Sequence, residues 1–444
     1  MRKAALISAI LAVGLCVASA TPASGQALYR LTLKEAIEKG LQNNLRVLVA
    51  GTQVEEAEGT RQRRLARLLP RVRGESLANM QTRNLRAFGI DVPGAPDIVG
   101  PFSNYDFRAY VDQPLLDLPN YYRWKASRQQ EQAARHDYQD VRDLIIRQVA
   151  ALYLDAQAAA ARVDAAASRV TTAEELYRLA RDQREAGVAT GVDVLRAEVE
   201  LANERQRLLE ARNTAEQALL TLARAIGVDL STPLELAEPL DFKPVTTLEI
   251  GAAVASALDK RADYLSLQTR QQALQEEEKS NRARRLPRLS FGGNYGAIGR
   301  TPGELRSTGA VQGTVSIELF DWDRRGERVE IDSRRRRLEH QMADLRQGIE
   351  EEIRDALLRL ESATQEVQVA RQGRTLAQRE LELVRERFQA GVTSNIEVTL
   401  GQEALARAQE NHIVALTRHA DAKMALARAL GATEEIYQHY LGIQ

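Results

Sequence analysis

LARAIG, residues 222–227, returns as LARALG at residues 426–431, which sets the closing glycines Gly227 and Gly431 204 positions apart. A six-residue match arises easily by chance in a chain rich in Ala, Leu and Arg, so the flanks decide. Forty residues upstream, Gly187 in EAGVATGVDV and Gly391 in QAGVTSNIEV keep the offset of 204. Seventy further back, Asp117 in PLLDLPNYYRW and Asp321 in IELFDWDRRG keep it again. Pro70 in LLPRV and Pro287 in RLPRL stand 217 apart, so the first copy carries 13 more residues between its Pro and its Asp (217 against 204). Further upstream, LTLKEAIEKGL from Leu31 echoes TTLEIGAAVASAL from Thr246. The chain is a tandem duplication of a unit of roughly 200 residues, far longer than a solenoid repeat, so each copy is half of one architecture.

A chain of 444 residues has room for two or three ordinary domains, but the duplication favours one fused unit. Aromatic residues are 5% of the chain, and Ala, Arg, Glu, Leu and Gln dominate, a bias toward long helices or coiled coils. Residues 1–20 read as a secretory signal: Arg2 and Lys3, an apolar run from Ala4 to Val17, then Ala18-Ser19-Ala20 as the cleavage site. Leu15 stands where a small residue should precede a lipidated cysteine, which argues against lipidation at Cys16. Removal of the signal takes away the one Cys, so disulfides play no part. The remaining chain has 59 basic residues (61 less Arg2 and Lys3) against 61 acidic, a balance that gives no hint of nucleic acid binding. No later stretch has 18 consecutive apolar residues. If this exported chain crosses a membrane, it crosses as strands.

Steps of four and three from Ile145 land on Val149, Leu152, Ala156, Ala159, Val163, Ala166, Val170, Ala173, Tyr177 and Ala180. The same seam 204 positions on runs Ile349, Ile353, Ala356, Leu360, Ala363, Val367, Ala370, then Arg374, Ala377, Leu381 and Val384, with Arg374 the one departure. A 3.5-residue period predicts left-handed coiled-coil packing, and the many Ala predict close approach. The 70 residues from Asp117 to Gly187 make a rod of about 105 Å if wholly helical. Shorter helices over Leu31–Leu69 and Gly191–Ile226 together approach that length. Each copy is therefore expected to run one long helix beside two half-length helices placed end to end. Gly187 and Gly391 mark the turns at the far end.

Between Pro70 and Asp117 the period changes to two. In NYDFRAYVD, Tyr105, Phe107, Ala109 and Val111 share one face, and Asp106, Arg108, Tyr110 and Asp112 the other. LSFGGNYGA and AVQGTVSIEL alternate in the same way in the second copy. Each copy thus predicts one hairpin, at about 70–116 and 287–320, with strands long enough to cross a bilayer at a tilt. Four strands cannot close a barrel and an open edge is not tolerated in lipid, so several chains must combine; three give about 12 strands, within the usual range. The competing expectation is a pair of small soluble hairpins capping a structural periplasmic coiled coil without a pore. A periplasmic adaptor, with one helical hairpin, fits two equal copies poorly.

This arrangement resembles the TolC-like outer-membrane efflux protein family over essentially the whole mature chain. The resemblance rests on the duplicated core, the LPR entries at Pro70 and Pro287, and FQAGVTSNIEV. That segment is similar to the family pattern through Phe388, Gly391, Ser394, Glu397 and Val398; the first copy matches at Gly187, Thr190, Asp193 and Val194 but has Arg184 in place of Phe. The resemblance implies a mostly α fold with a β-barrel part: a homotrimer with a 12-stranded outer-membrane barrel above a helical periplasmic tunnel. It also implies an iris at the inner end and work alongside a periplasmic adaptor and an inner-membrane pump. The expected layout is a signal at 1–20, copies at 21–227 and 248–431, a waist linker at 228–247 with Pro233, Pro239 and Pro244, and a tail at 432–444.

Catalysis finds no footing: there is no phosphate loop, no nucleophile motif, no cofactor signature and no nucleotide site. Of His136, His340, His412, His419 and His439, only His412 and His419 share a helix face, about 10 Å apart, which suits surface residues and not a metal pair. The gate candidates are Gly187, Asp193, Phe388, Gly391, Thr393 and Glu397. In a trimer, Asp193 and Glu397 would make six carboxylates favouring cations; an acid in a helix's first turn also simply complements the dipole. Phe388 and Thr393 cannot form an ionic latch, which leaves packing or hydrogen bonds to close the iris. Arg71, Arg73, Arg83 and Arg108 are expected in the barrel lumen, since charge facing lipid is costly, with Glu75, Asp106 and Asp112 diluting their field. Arg334–Arg337 reads as a solvated face.

Overall fold

The computed structural model describes residues 29–90, 93–94, 96–244, 249–390, 392–393, 395–431 and 433–434. The expected signal segment and Gly391 lie outside the described residues, as does most of the tail. The element order is β1 (Tyr29–Leu31), α1 (Leu33–Asn43), α2 (Leu45–Ala66), β2 (Arg71–Asn84), a 3-10 turn (Arg86–Phe88), β3 (Ile98–Leu116), α3 (Leu118–Glu185) and α4 (Gly191–Ile226). The second copy follows as β4 (Leu234–Leu236), α5 (Ile250–Lys260), α6 (Ala262–Ala283), β5 (Arg288–Gly299), β6 (Arg306–Ser316), α7 (Asp323–Gln389) and α8 (Asn395–Ala429). The helices α1, α2, α5 and α6 and the starts of β2 and β5 match at an offset of 217, whereas the ends of α3 and α7 match at 204. That places Thr32 opposite Glu249, both N-caps, two residues from the alignment suggested by the sequence echo at Thr246. The 13-residue difference sits in the first hairpin, whose strands are longer.

The predicted seam is the core of the rod. Ile145, Val149, Ala156, Ala159, Ala166, Ala173 and Ala180 of α3 are buried, as are Ile349, Ile353, Ala356, Leu360, Ala363, Val367, Ala377 and Leu381 of α7. Alanine at these positions removes the bulk that would hold backbones apart. At 68 residues, α3 is a rod of about 102 Å. No helix among the described residues is long and apolar enough to cross a membrane.

One expectation needs correction. Leu31–Leu69 is not a single helix: it breaks at Asn44, whose backbone is extended (φ −69°, ψ 127°). Asn44 serves both halves, as its backbone N–H closes α1 onto Gly40 O and its side chain accepts from Arg46 N. Periodicity could not reveal this, because the apolar positions continue across the break. The break receives the end of α4: Asn43 Nδ2 donates to Ile226 O (3.2 Å) and Asn44 Nδ2 to Ala225 O (3.2 Å). These are carbonyls that a helix C-terminus leaves open. Arg261 makes the equivalent break between α5 and α6.

The same junction explains the hexapeptide repeat. Gly227 and Gly431 both adopt φ +68°, the left-handed conformation that costs side chains but not glycine. A Cβ on Gly227 would lie 2.5 Å from Asn43 Cβ, and one on Gly431 would lie 2.8 Å from the Arg261 backbone N. Gly227→Ala and Gly431→Ala are each expected to destabilise the helical rod by about 1–3 kcal/mol, from strained backbone plus overlap. Thermal unfolding followed by circular dichroism would read it. Gly59→Ala, which meets nothing within 4 Å in mid-helix, serves as the control and should be neutral or stabilising.

Candidate functional site: the two-faced sheet and the helix tips

β2, β3, β5 and β6 form one antiparallel sheet in the order β2-β3-β5-β6, so the two hairpins join through β3 and β5. The register sorts the side chains. One cross-strand row carries Val72, Val111, Gly293 and Val311, and the next on that face Gly74, Ala109, Tyr295 and Gly309. The opposite face carries Arg71, Asp112, Gly292 and Gln312, then Arg73, Tyr110, Asn294 and Ala310, then Glu75, Arg108, Gly296 and Thr308. Every Asp, Glu, Lys and Arg in the continuous register of the four strands, Arg288 and Arg306 included, falls on that second face. The first face carries none and is exposed: Val72, Tyr295, Val311 and Val315 are each at least 70% accessible. A sheet that shows its apolar face outward needs a partner for that face, since contiguous apolar surface is otherwise costly in water.

Two arginines of the charged face are paired with its acids. Arg108 grips Asp106 with two donors, its Nε lying 2.7 Å from Oδ1. Arg73 lies 3.5 Å from Glu75 and 4.0 Å from Asp112, and its guanidinium sits 4.9 Å from the Tyr110 ring. The three acids thus pair with the arginines they were expected to dilute. Arg83 falls apart from the others: it pairs with Val99 beyond a register shift between Gln81 and Arg83, outside the rows that define the two faces.

At the opposite end of the rods, α3 closes at Ala186 and turns through Gly187 (φ +77°) into Thr190, the N-cap of α4. Asp193 is the capping-box partner. It donates its N–H to Thr190 Oγ1 (3.3 Å), and its carboxylate accepts from Thr190 N (3.0 Å) and Oγ1 (2.6 Å). The Thr190 hydroxyl and backbone N–H hold this carboxyl below its usual range. Glu397, its equivalent, is about half exposed, with Arg387 across the turn at 3.9 Å. Phe388 is buried among Leu176, Leu381 and Val398, where it packs the tip. Arg184, at the matching place in the first copy, is exposed. Thr393 is half-buried, its Oγ1 sealed from solvent without a partner among the described residues. Apolar side chains at the two turns are exposed in equivalent pairs, Val188 with Val392 and Val192 with Ile396.

Two features escaped the sequence reading. His419 is buried, not a surface residue: its ring stacks 4.7 Å from Phe242 of the inter-copy segment, and burial beside Lys423 pushes its pKa down to about 4. Lys423, also buried, donates to Lys243 O (3.2 Å), and burial lowers it to about 8. A second cluster joins Arg428 to Asp140 and Asp263, and Arg261 to Asp263 and Glu352; next to it, burial pushes Asp143 up to about 6. The residues come from four helices and the α5–α6 break, so no one local spacing gathers them. Arg334 and Arg335 pair with Glu330 and Asp332 on their own helix, as a solvated face does.

Duplicated long helices that carry an open sheet at one end and tight turns at the other define a mostly helical class of TolC-like fold. The chain belongs to the outer membrane efflux protein family, whose profile matches residues 36–228 and 253–432. It is 25% identical over 295 residues to the probable efflux pump outer membrane protein TtgC of Pseudomonas putida, covering 65% of this chain and 60% of TtgC. It is 23% identical over 346 residues to the alkaline protease secretion protein AprF of Pseudomonas aeruginosa, covering 74% of this chain and 68% of AprF. The match thus spans about three fifths of the length of TtgC. The structure of the outer membrane protein VceC of Vibrio cholerae superposes with a TM-score of 0.75 at 18% identity, over 90% of this chain and 96% of VceC.

Asp193→Ala removes the capping box. We expect amide exchange at residues 191–194 to quicken about two- to fivefold at pH 7, the effect of losing about 0.5–1 kcal/mol of capping. Because hydrogen bonds from Thr190 hold the folded carboxyl below its ordinary value, the stabilisation is complete above that ordinary value and fades as pH falls through the depressed one. The gap between variant and parent should therefore close in acid. An unchanged exchange rate at pH 7 would remove the cap from the account.

Proposed function

We propose that the chain is the outer-membrane duct of a multi-part export system. Three copies would close a 12-stranded barrel, and their helices would continue it as a tunnel through the periplasm. The observation that carries this reading is the sorting of charge in the sheet: one face bare of charge across four strands, with β2 and β6 unpaired at the edges among the described residues. Lipid tolerates such a face and forbids such edges, and closure with further copies satisfies both demands. TtgC and AprF are named for efflux and for protease secretion, which supports an export role at either scale of cargo.

In this reading residues 21–227 and 248–431 are the two copies, 228–247 the waist linker and 1–20 the export signal. The exposed valines of the tips, Val188 and Val392, offer an apolar contact for a periplasmic adaptor that links the duct to an inner-membrane pump. The pump supplies the energy, since the sequence holds no nucleotide signature. Arg71, Arg73 and Arg108 line the lumen, Arg73 and Arg108 paired with acids. At the tip the cation preference rests with Glu397, because the Asp193 carboxylate is folded onto its own helix end.

Single-channel conductance of the purified mature protein in planar bilayers tests the duct. Discrete pores are expected, with Glu397→Gln reducing cation preference and Asp193→Asn leaving it nearly unchanged. Val311→Arg should block insertion, at a cost of about 2–4 kcal/mol per substitution facing lipid, while Gln312→Arg on the opposite face should insert. Well-folded protein that never inserts would return the chain to a structural coiled coil. Equal tolerance of both arginines would unseat the assignment of faces.

A further inference from the structure

Where the rod meets the sheet, the two copies have diverged in charge. In the first copy this collar is the end of α2 with the start of α3, residues 61–70 and 117–128. Its equivalents in the second are 278–287 and 321–332. Each copy places seven basic residues there. The second copy sets six acids against them, whereas the first has one, Asp117. The chain as a whole has 61 basic and 61 acidic residues, so the +6 (7 less 1) of the first collar is a local excess.

In the second copy the acids close on an arginine: Arg284 alone meets Asp321, Asp323 and Glu327. The first copy has Asp117, Pro119 and Arg123 at the places of those three acids. Asp117 is used as the N-cap of α3, accepting from Asn120 N (3.0 Å). Like charges therefore gather. Burial and the guanidiniums of Arg67, Arg123 and Arg63 pull Arg64 below its ordinary value, with Glu277 opposing them. The nearby carboxylates have other partners. Glu58 and Glu131 take Arg61. Glu277 accepts from Gln130 (3.0 Å) and lies 3.6 Å from Arg334. Glu327 is 3.8 Å from Arg123 but 2.8 Å from Arg284. Arg63, Arg64, Arg67 and Arg128 make no ion pair among the described residues.

The place of these arginines gives the excess a meaning, which rests on the reading of the sheet as membrane-spanning. Arg67 and Arg63 precede Pro70 by three and seven residues, about 5–10 Å of helix rise below the first strand. The headgroup layer on each side of a bilayer is about 5–8 Å deep. Between the sheet and the arginines the surface is apolar and aromatic. Leu69, Leu115 and Leu116 are exposed. Tyr121 packs edge-on 5.6 Å from Tyr122, and the Lys125 ammonium lies 5.0 Å from its ring. At the same junction of the second copy Phe320 and Trp322 are 90% and 79% exposed. Apolar side chains, then aromatics, then cations is the order that a membrane interface favours.

We propose that the first copy's collar is a binding surface for the headgroups of anionic phospholipids, with Arg63, Arg64 and Arg67 holding the phosphodiester. A guanidinium fork takes two phosphate oxygens at once. An anion among these arginines also relieves their mutual repulsion. The exposed leucines above them and Tyr121 lie against the adjoining acyl chains. Such lipids hold the sheet at one depth and the rod upright beneath it. The second copy, whose acids already pair with its arginines, contributes little to the preference.

Trp124 and Trp322 are the chain's two tryptophans and both stand at this junction, so Trp322→Phe leaves Trp124, next to Arg123, as the sole reporter. The purified mature Trp322→Phe protein is reconstituted in phosphatidylcholine vesicles holding a minor share of brominated phosphatidylglycerol or, as control, brominated phosphatidylcholine. Bromine quenches tryptophan on contact, so the two series measure which lipid occupies the collar. Phosphatidylglycerol is expected to be favoured about fivefold at 0.1 M salt. The preference should largely vanish at 1 M salt, where the Debye length falls from about 10 Å to about 3 Å. Arg63→Gln/Arg64→Gln/Arg67→Gln should bring it near unity without changing insertion into phosphatidylcholine. Arg346→Gln/Arg354→Gln/Arg359→Gln, which removes the same charge in mid-rod, should keep it. Equal quenching by the two lipids in inserted protein, or a preference unmoved by the first triple variant, overturns the proposal and leaves the barrel standing. Displacement by inorganic phosphate at constant ionic strength would make the collar a site for free anions and overturn it too. Quenching by neither lipid sinks the barrel reading and this inference with it. A folded triple variant that no longer inserts into phosphatidylcholine would assign the arginines to contacts between copies, against the proposal. Should that variant fail to fold, the lipid comparison and its salt dependence in the parent protein decide.

Discussion

The rod depends on a junction of a few residues, made twice. The last helix of each copy ends at a glycine in a left-handed conformation, pressed against the break that divides that copy's opening helices. A helix end must dispose of open carbonyls, and here the side chains of Asn43 and Asn44 receive two of them. The consequence is mechanical: two shorter helices run end to end beside one long neighbour, with no room at the joint for even a methyl group. The repeated hexapeptide is the chemical record of that joint. Leu222 and Leu426, its first residues, are wholly buried, so the motif supplies both the hydrophobic anchor and the stop.

From that rod the sheet inherits its position. Short connections lead from α2 to β2 and from α6 to β5, and the hairpins meet edge to edge through β3 and β5. Alternation then sorts charge with little loss. Pairing neutralises what alternation gathers, as Arg108 with Asp106 and Arg73 with Glu75 show. A face that holds these pairs suits a wet interior; the other face, bare of charge, suits hydrocarbon. The tips obey a different economy. In the second copy Phe388 fills the space between helices, whereas the first copy exposes Arg184, so the two turns are equivalent in path and different in packing.

Duplication also leaves the copies free to diverge where they face each other. The segment between them pairs Leu234–Leu236 with Tyr29–Leu31 as a short parallel ribbon, and then lays Phe242 on His419. Buried Tyr153 anchors the ribbon by donating to Leu31 O (3.1 Å). Around this crossing lie the buried titratable groups His419 and Lys423.

The sequence by itself determined the duplication, the seam, the hairpins and the sorting of their faces, because each is a pattern of local spacing: 204, 3.5 and two. It also marked Gly187 as a turn, since glycine at the end of a periodic run has a narrow range of meanings. Tertiary structure decided what spacing cannot encode. The break at Asn44 was invisible because the apolar period passes through it, and it exists because the end of α4 needs a place to stop. Asp193 and Glu397 read alike in sequence; the structure draws Asp193 into a capping box with Thr190 and places Glu397 3.9 Å from Arg387 across the turn. Phe388 is buried by Leu176 and Val398 of other helices. His419 was buried by a ring 177 positions away, at Phe242. Contacts of that range depend on how the helices meet in space, and no local period reports them.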